Sequence, residues 1–213
     1  MTRPLLTAEV IFSAALRLVD TEGLETLTMR RLAADLGVAP MSLYSHIPTK
    51  DDLLIGVVGL ATAEIQIPSR EMPPWDALRS LTREFRRVTL LHPNLAPLIM
   101  TRPPTGAEGL RTLESALDAL HRAGIEPGQI ARAYRLSASF AIGFVSLEAG
   151  GFFRPLATRD PGPELHSPPP EGAPRVQETA KYLAEWDSDA EFEAGMDVII
   201  GFLSRGLPAG DGD

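Results

Sequence analysis

Few side chains in this 213-residue chain are spaced to make or break bonds. There is no cysteine, which removes thiol catalysis, disulfides and zinc–thiolate sites. The histidines stand apart at positions 46, 92, 121 and 166, and no HExxH, GxSxG or P-loop spacing occurs. The chain is therefore not expected to be a hydrolase or a metal-dependent enzyme. What it offers is recognition chemistry. Met41, Ser42, Tyr44, Ser45 and His46 bring a thioether, two hydroxyls, a phenol and an imidazole into one short run. Such groups hydrogen-bond and stack, and on a rigid rod they suit base edges and phosphates in a major groove.

The surrounding residues supply that rod. Thr28 is a good N-cap for a helix whose apolar face is Leu32, Ala33 and Leu36. Gly37 stands where a helix ends in a left-handed residue, and Val38 plugs the turn. Pro40 fits the first position of the next helix, although Ala39 is a poor cap for it. That helix, 40–47, is stopped by Pro48 and is too short to stand alone in water; Leu43 and Ile47 can anchor it to a core. Helix, tight turn and short polar-faced helix make a helix-turn-helix. The same spacing also fits an ordinary pair of packed helices, and spacing alone leaves both open. Upstream, 7–22 reads as a helix capped by Thr7 and ended by Gly23, so three helices share one small core. Thr49 followed by Asp52 is a variant capping box that opens a fourth helix running to about residue 66. The expected organisation is a head at 1–48, a connecting helix at 49–66 and a body at 67–213.

The body shows helical periodicity throughout and no strand pattern, so the fold class is all-α. Expected helices cover 75–91, 95–100, 110–123, 127–153, 174–186 and 189–207, with a Pro- and Gly-rich mobile loop at 155–173. No apolar run reaches the length of a membrane span, and the first residues lack a signal-peptide core, so a cytoplasmic protein is expected. The net charge of −8 argues against indiscriminate binding to nucleic acid. Its distribution is permissive, because residues 1–50 hold five basic and five acidic side chains and the acidic excess lies in the body.

The stretch LAADLGVAPMSLYSHIPTKDDLL closely resembles the DNA-binding head of the TetR family of repressors. The shared pattern is a helix ending in LGV, a short helix holding Ser42, Leu43, Tyr44 and His46, and Lys50 opening a long helix. The body is similar to the tetracycline-repressor branch through WDALRSLTREFRRVTLLHPNLA, TLESALDALHRAGI and FEAGMDVIIGFLSRGL. The resemblance implies about ten helices, a homodimer bound to a palindromic double-stranded operator, and a small-molecule effector that releases it. An activator, or an architectural DNA-binding protein without a ligand, is the alternative.

Within that frame Thr28 and Lys50 are expected at phosphates, as are the rings of Tyr44 and His46. Pro40, Met41 and Ser42 are expected at base edges, and Arg30 at a guanine or a phosphate. Tyr44 has a second reading under the first helix, and His46 one in solvent. The dimer is expected to pair Ala138, Ala141, Ile142 and Val145 with Phe192, Met196, Ile199, Ile200 and Leu203. Candidate pocket residues are His92, Asn94, Thr101, Arg102, Phe140, Phe144 and Glu148. Each has a structural alternative: His92 as a helix cap, Arg102 as half of an ion pair, Phe140 and Phe144 as core. Tetracycline repressors take a magnesium–drug complex with a His and a Glu, but those positions hold Leu98 and Leu147 here, with Glu148 adjacent. A different effector and no obligatory metal or other cofactor are expected.

Overall fold

The computed structural model describes residues 5–102, 106–152, 174–183 and 185–207. Ten α-helices and one 3-10 turn are found among them. The first is α1 (Ala8–Glu22), capped by Thr7, whose Oγ1 accepts from the Val10 amide, and closed at Gly23. The 3-10 turn Leu24–Thr26 leads to α2 (Met29–Leu36), where the Thr28 hydroxyl accepts from the Arg31 amide at 3.1 Å. Gly37 ends α2 with φ 64° and ψ 36°, a left-handed conformation that costs a residue without Cβ almost nothing. The Val38 amide then reaches back to the Ala33 carbonyl at 2.9 Å, which fixes the angle at which the chain enters the next helix.

That helix, α3 (Pro40–Tyr44), is shorter than the expected 40–47. Ala39 contributes no side-chain cap, and Pro48 disfavours helical backbone at the residue before it. Two turn bonds, from His46 and Ile47 to the Leu43 carbonyl, carry the coil onward, so Leu43 and Ile47 are both buried as expected. Next comes α4 (Lys50–Thr62), opened by a full capping box between Thr49 and Asp52. It ends before the expected 66, where the Thr62 hydroxyl donates to the Val58 and Gly59 carbonyls. The crossing of α1 and α4 is close because Gly56 has no side chain: a Cβ there would lie 2.1 Å from the Phe12 ring.

The remaining helices are α5 (Pro74–Leu91), α6 (Ala96–Thr101), α7 (Gly106–Arg122), α8 (Pro127–Ala149), α9 (Pro174–Leu183) and α10 (Ser188–Ser204). α7 starts earlier than expected, with Glu108 in its first turn paired to Arg111. The segment 155–173, expected as a mobile loop, lies outside the described residues. One apolar cluster holds the head together, from Ile11 and Leu18 through Leu32 and Leu43 to Leu53 and Val57. It continues into the body through Leu95 and Ile99, so head and body share core. In the body, α5 packs on both α7 and α8. Its other side meets α10 through three arginines spaced along one face. Arg79 bonds Glu193 and Asp197, Arg83 bonds Glu193 twice, and Arg86 holds Glu148 at 2.7 and 2.5 Å while meeting Asp189 at 2.7 Å. Among the described residues no helix is long and apolar enough to cross a membrane.

Candidate nucleic-acid interface and ligand cavity

The outer side of the helix-turn-helix is built by subtraction. Leu43 and Ile47 are at most 1% exposed and fasten α3 to the head core, so the intervening side chains have nowhere to go but outward. Met41 is 75% exposed and Tyr44 42%, which sets aside packing of Tyr44 beneath α1. Pro40, Ser45 and His46 are exposed, and Ser42 is half-buried. The Ser45 hydroxyl donates to the Ser42 carbonyl at 2.8 Å and tightens the end of α3. Thr28 and Arg30 at the start of α2, and Lys50 at the start of α4, are exposed as well. Arg31 is already engaged, donating to Glu22 at 2.5 Å. The free cations of this face among the described residues are thus Arg30 and Lys50, beside amide groups at the N-termini of two helices.

In the body, a cavity of about 170 Å³ opens between α4, α5, α6, α7 and α8. Ile55, Val58 and Thr62 form the α4 wall; Leu78, Leu81, Thr82 and Phe85 the α5 wall. Thr112 and Leu113 come from α7, and Tyr134, Ser137, Ala138, Ala141 and Ile142 from α8. Ile99 and Arg102 close it from the end of α6. Four hydroxyls interrupt these apolar walls, and each donates its proton to its own helix: Thr62 to Val58 and Gly59, Thr82 to Arg79, Thr112 to Glu108 and Ser137 to Ala133. They therefore face the cavity as acceptors. Tyr134 is half-buried, and burial pushes its phenol pKa up, which keeps the hydroxyl protonated.

Of the expected pocket residues, only Arg102 lines this cavity, and it is also paired, donating to Asp51 at 2.7 Å. His92 lies elsewhere. Its ring is buried at the end of α5, with Nδ1 3.0 Å from both Asp20 oxygens and Nε2 3.3 Å from Glu64. Asn94 donates to the Val19 and Asp20 carbonyls, so it finishes the last turn of α1. Both residues join body to head rather than line a pocket. Thr101 turns its hydroxyl back onto Pro97. Phe140 and Phe144 form an aromatic cluster with Phe192 and Trp186, and Glu148 is bound to Arg86. A magnesium centre of the tetracycline-repressor kind does not fit these residues. The imidazole position is Leu98, both Glu148 oxygens are taken by Arg86, and among the described residues the cavity wall holds no carboxylate or imidazole.

Ala138, Ala141 and Ile142 face the cavity, while Val145, Phe192, Met196 and Leu203 are at most 1% exposed within one chain. Ile199 and Ile200 are half-buried, Ile199 against the body core. Helical periodicity identified an apolar row on each helix, but the row is used to pack that helix into its own chain. On these two helices the large apolar side chains that remain exposed among the described residues are Leu136 and Leu147 on α8 and Val198 and Phe202 on α10. The sequence signal that could have located the cavity is the set of lone hydroxyls at 62, 82, 112 and 137, each set among apolar neighbours on an otherwise apolar face.

Residues 11–57 match the family model described as bacterial regulatory proteins, tetR family, and residues 68–205 that of the tetracyclin repressor-like, C-terminal domain. An HTH-type transcriptional regulator of Saccharopolyspora erythraea is 38% identical over 70% of the chain, a match spanning 63% of that relative's length. The class C tetracycline repressor protein of Escherichia coli is 31% identical over 94% of the chain and 91% of its own length. Among solved structures, the Streptomyces coelicolor TetR family protein ActR in complex with (S)-DNPA superposes with a TM-score of 0.80. It is 30% identical, and the superposition covers 97% of this chain and all of that one. With both parts of the chain matched and nearly its whole length aligned, the protein belongs to the TetR family of transcriptional regulators.

Proposed function

We propose that the protein is a homodimeric repressor of the cytoplasm that binds a palindromic operator and leaves it when a small effector enters the body. The observation that carries this reading is the double duty of α4. One end presents Lys50 beside the exposed face of α3, and its middle supplies Ile55, Val58 and Thr62 to the cavity wall. A ligand that fits better when α4 is displaced must alter how the head meets DNA, and by reciprocity the operator must weaken ligand binding by the same factor. The ActR complex with (S)-DNPA supports a small-molecule ligand for a protein of this fold.

In this reading Met41, Ser42 and Pro40 meet base edges, while Thr28, Tyr44, His46, Lys50 and Arg30 meet phosphates or a guanine. One short helix reads few base pairs, so a second copy is needed, with half-sites about one helical turn or more apart. The exposed Leu136, Leu147, Val198 and Phe202 are the apolar groups available to that partner. The test is selection of genomic fragments by the purified protein, footprinting of the winner, and repetition with Thr28→Ala and Tyr44→Ala. A protected near-palindrome lost in both variants supports the repressor reading. Binding without sequence preference and with a steep salt slope supports the architectural alternative instead.

A further inference from the structure

The polar inventory of the cavity restricts what can occupy it. Its walls are apolar, and the hydroxyls of Thr62, Thr82, Thr112 and Ser137 have committed their protons to their own helices. Two donors remain. One is the Tyr134 phenol, which has no partner among the described residues. The other is Arg102, the one charged group in the lining among the described residues, with a side chain 28% exposed. Ile55, 37% exposed, stands with it on the cavity wall, so the cation is reached from solvent as well as from within. Among the described residues nothing in the lining is acidic, so a cationic ligand finds no counter-charge from them.

Arg102 is already held, and its partner is informative. Asp51 is 65% exposed and lies in the first turn of α4, next to Lys50. Resting on the cavity being the effector site, we propose that the effector is a largely apolar organic acid whose acid group captures Arg102 and thereby detaches it from Asp51. Two carboxylates competing for one guanidinium are an exchange that an uncharged ligand cannot make. The consequence reaches the head without a long relay. Once released, Asp51 is an uncompensated negative charge beside the cation expected at a phosphate, and it repels the duplex.

The test uses the full chain and a pair of dyes, anilinonaphthalene sulfonate and phenylnaphthylamine, which share one ring system with and without the acid. Fluorescence titration of the wild type should show the sulfonate binding about tenfold more tightly than the neutral dye. Arg102→Gln should abolish that preference while leaving the neutral dye unchanged, and Arg102→Lys should retain part of it. Asp51→Asn removes the competitor and should tighten only the sulfonate. Ala141→Trp fills the cavity and should exclude both dyes, with melting curves verifying that each variant folds. A preference that is absent, or that survives Arg102→Gln, overturns the proposal, and if Ala141→Trp still excludes both dyes the effector-site reading stands. Dyes that bind equally well to Ala141→Trp, or no binding of either dye to the wild type, overturn both.

Discussion

Replacing His92 by Ala tests whether this residue joins the body to the head or belongs to a pocket. The ring is 6% exposed, and its two nitrogens lie 3.0 Å from Asp20 and 3.3 Å from Glu64. A hydrogen bond to a charged group contributes about 1.5–3 kcal/mol when well buried. The Asp20 and Glu64 side chains are 30% and 39% exposed, so water reaches both carboxylates once the ring is gone. That reduces the one bond a single ring N–H can donate to about 1 kcal/mol, and the hole left by the buried ring adds about 2 kcal/mol more. The expected loss is about 3 kcal/mol, a fall in Tm of about 6–12 °C for a chain of this length. Asn94→Ala should cost less, about 1–1.5 kcal/mol, because the Gly23 amide still holds the Val19 carbonyl at 2.9 Å. Thermal melts and dye titration are run together. Neither residue lines the cavity, so dye affinity should stay within about twofold, well below the tenfold step of 1.4 kcal/mol. An unchanged Tm with lost dye binding would refute the argument and return His92 to the pocket.

Gly56→Ala should destabilise by about 1–3 kcal/mol, since the new methyl meets the Phe12 ring and α1 cannot retreat from α4 without opening the head core; urea unfolding measures it. Glu148→Ala should cost about 3 kcal/mol, because Arg86, with 14% of its side chain exposed, loses its better-buried partner; Arg86→Met with Glu148→Leu should recover much of that in the same assay. Hydrogen bonds from Arg83 hold the Glu193 carboxyl below its usual range, as Arg87 does for Glu84. A depressed carboxylate contributes stability above its unfolded value of about 4.3 and loses it as pH falls through the lower folded value. Melting curves taken from about pH 6 down to about pH 3 should therefore show a shallower acid limb for Glu193→Gln than for the wild type.

The head was legible because its determinants are local. Thr7, Thr28 and Thr49 cap within three residues of themselves, Gly37 needs only its own φ and ψ, and Pro40 needs only its position. The same short-range logic overshot at α3, where Ala39 supplies no side-chain cap and the regular helix closes at Tyr44, short of the stop at Pro48. The body was legible as helices and far less so as a site. His92 before a proline has the chemistry of a ligand and the chemistry of a clamp. Asp20, far upstream in the chain, decides between them. Phe192 and Met196 form a row that periodicity cannot assign to a partner chain or to the chain's own core. The cavity exists only where five helices meet, so its lining has no counterpart in any single stretch of sequence.

The two sides of α5 have a consequence for how this protein can change. Arg79, Arg83 and Arg86 lock one side to α10, while Leu78, Leu81, Thr82 and Phe85 face the cavity from the other. Scaffold and the proposed ligand wall therefore occupy largely separate faces of one helix, which meet at Thr82, whose hydroxyl also lies 3.5 Å from Met196 Sδ on α10. With the cavity as the proposed effector site, a library varied only at 62, 82, 112 and 137 would alter which molecules are admitted while leaving the ion pairs that hold the frame intact. Such a library is a compact starting point for a sensor with a chosen response.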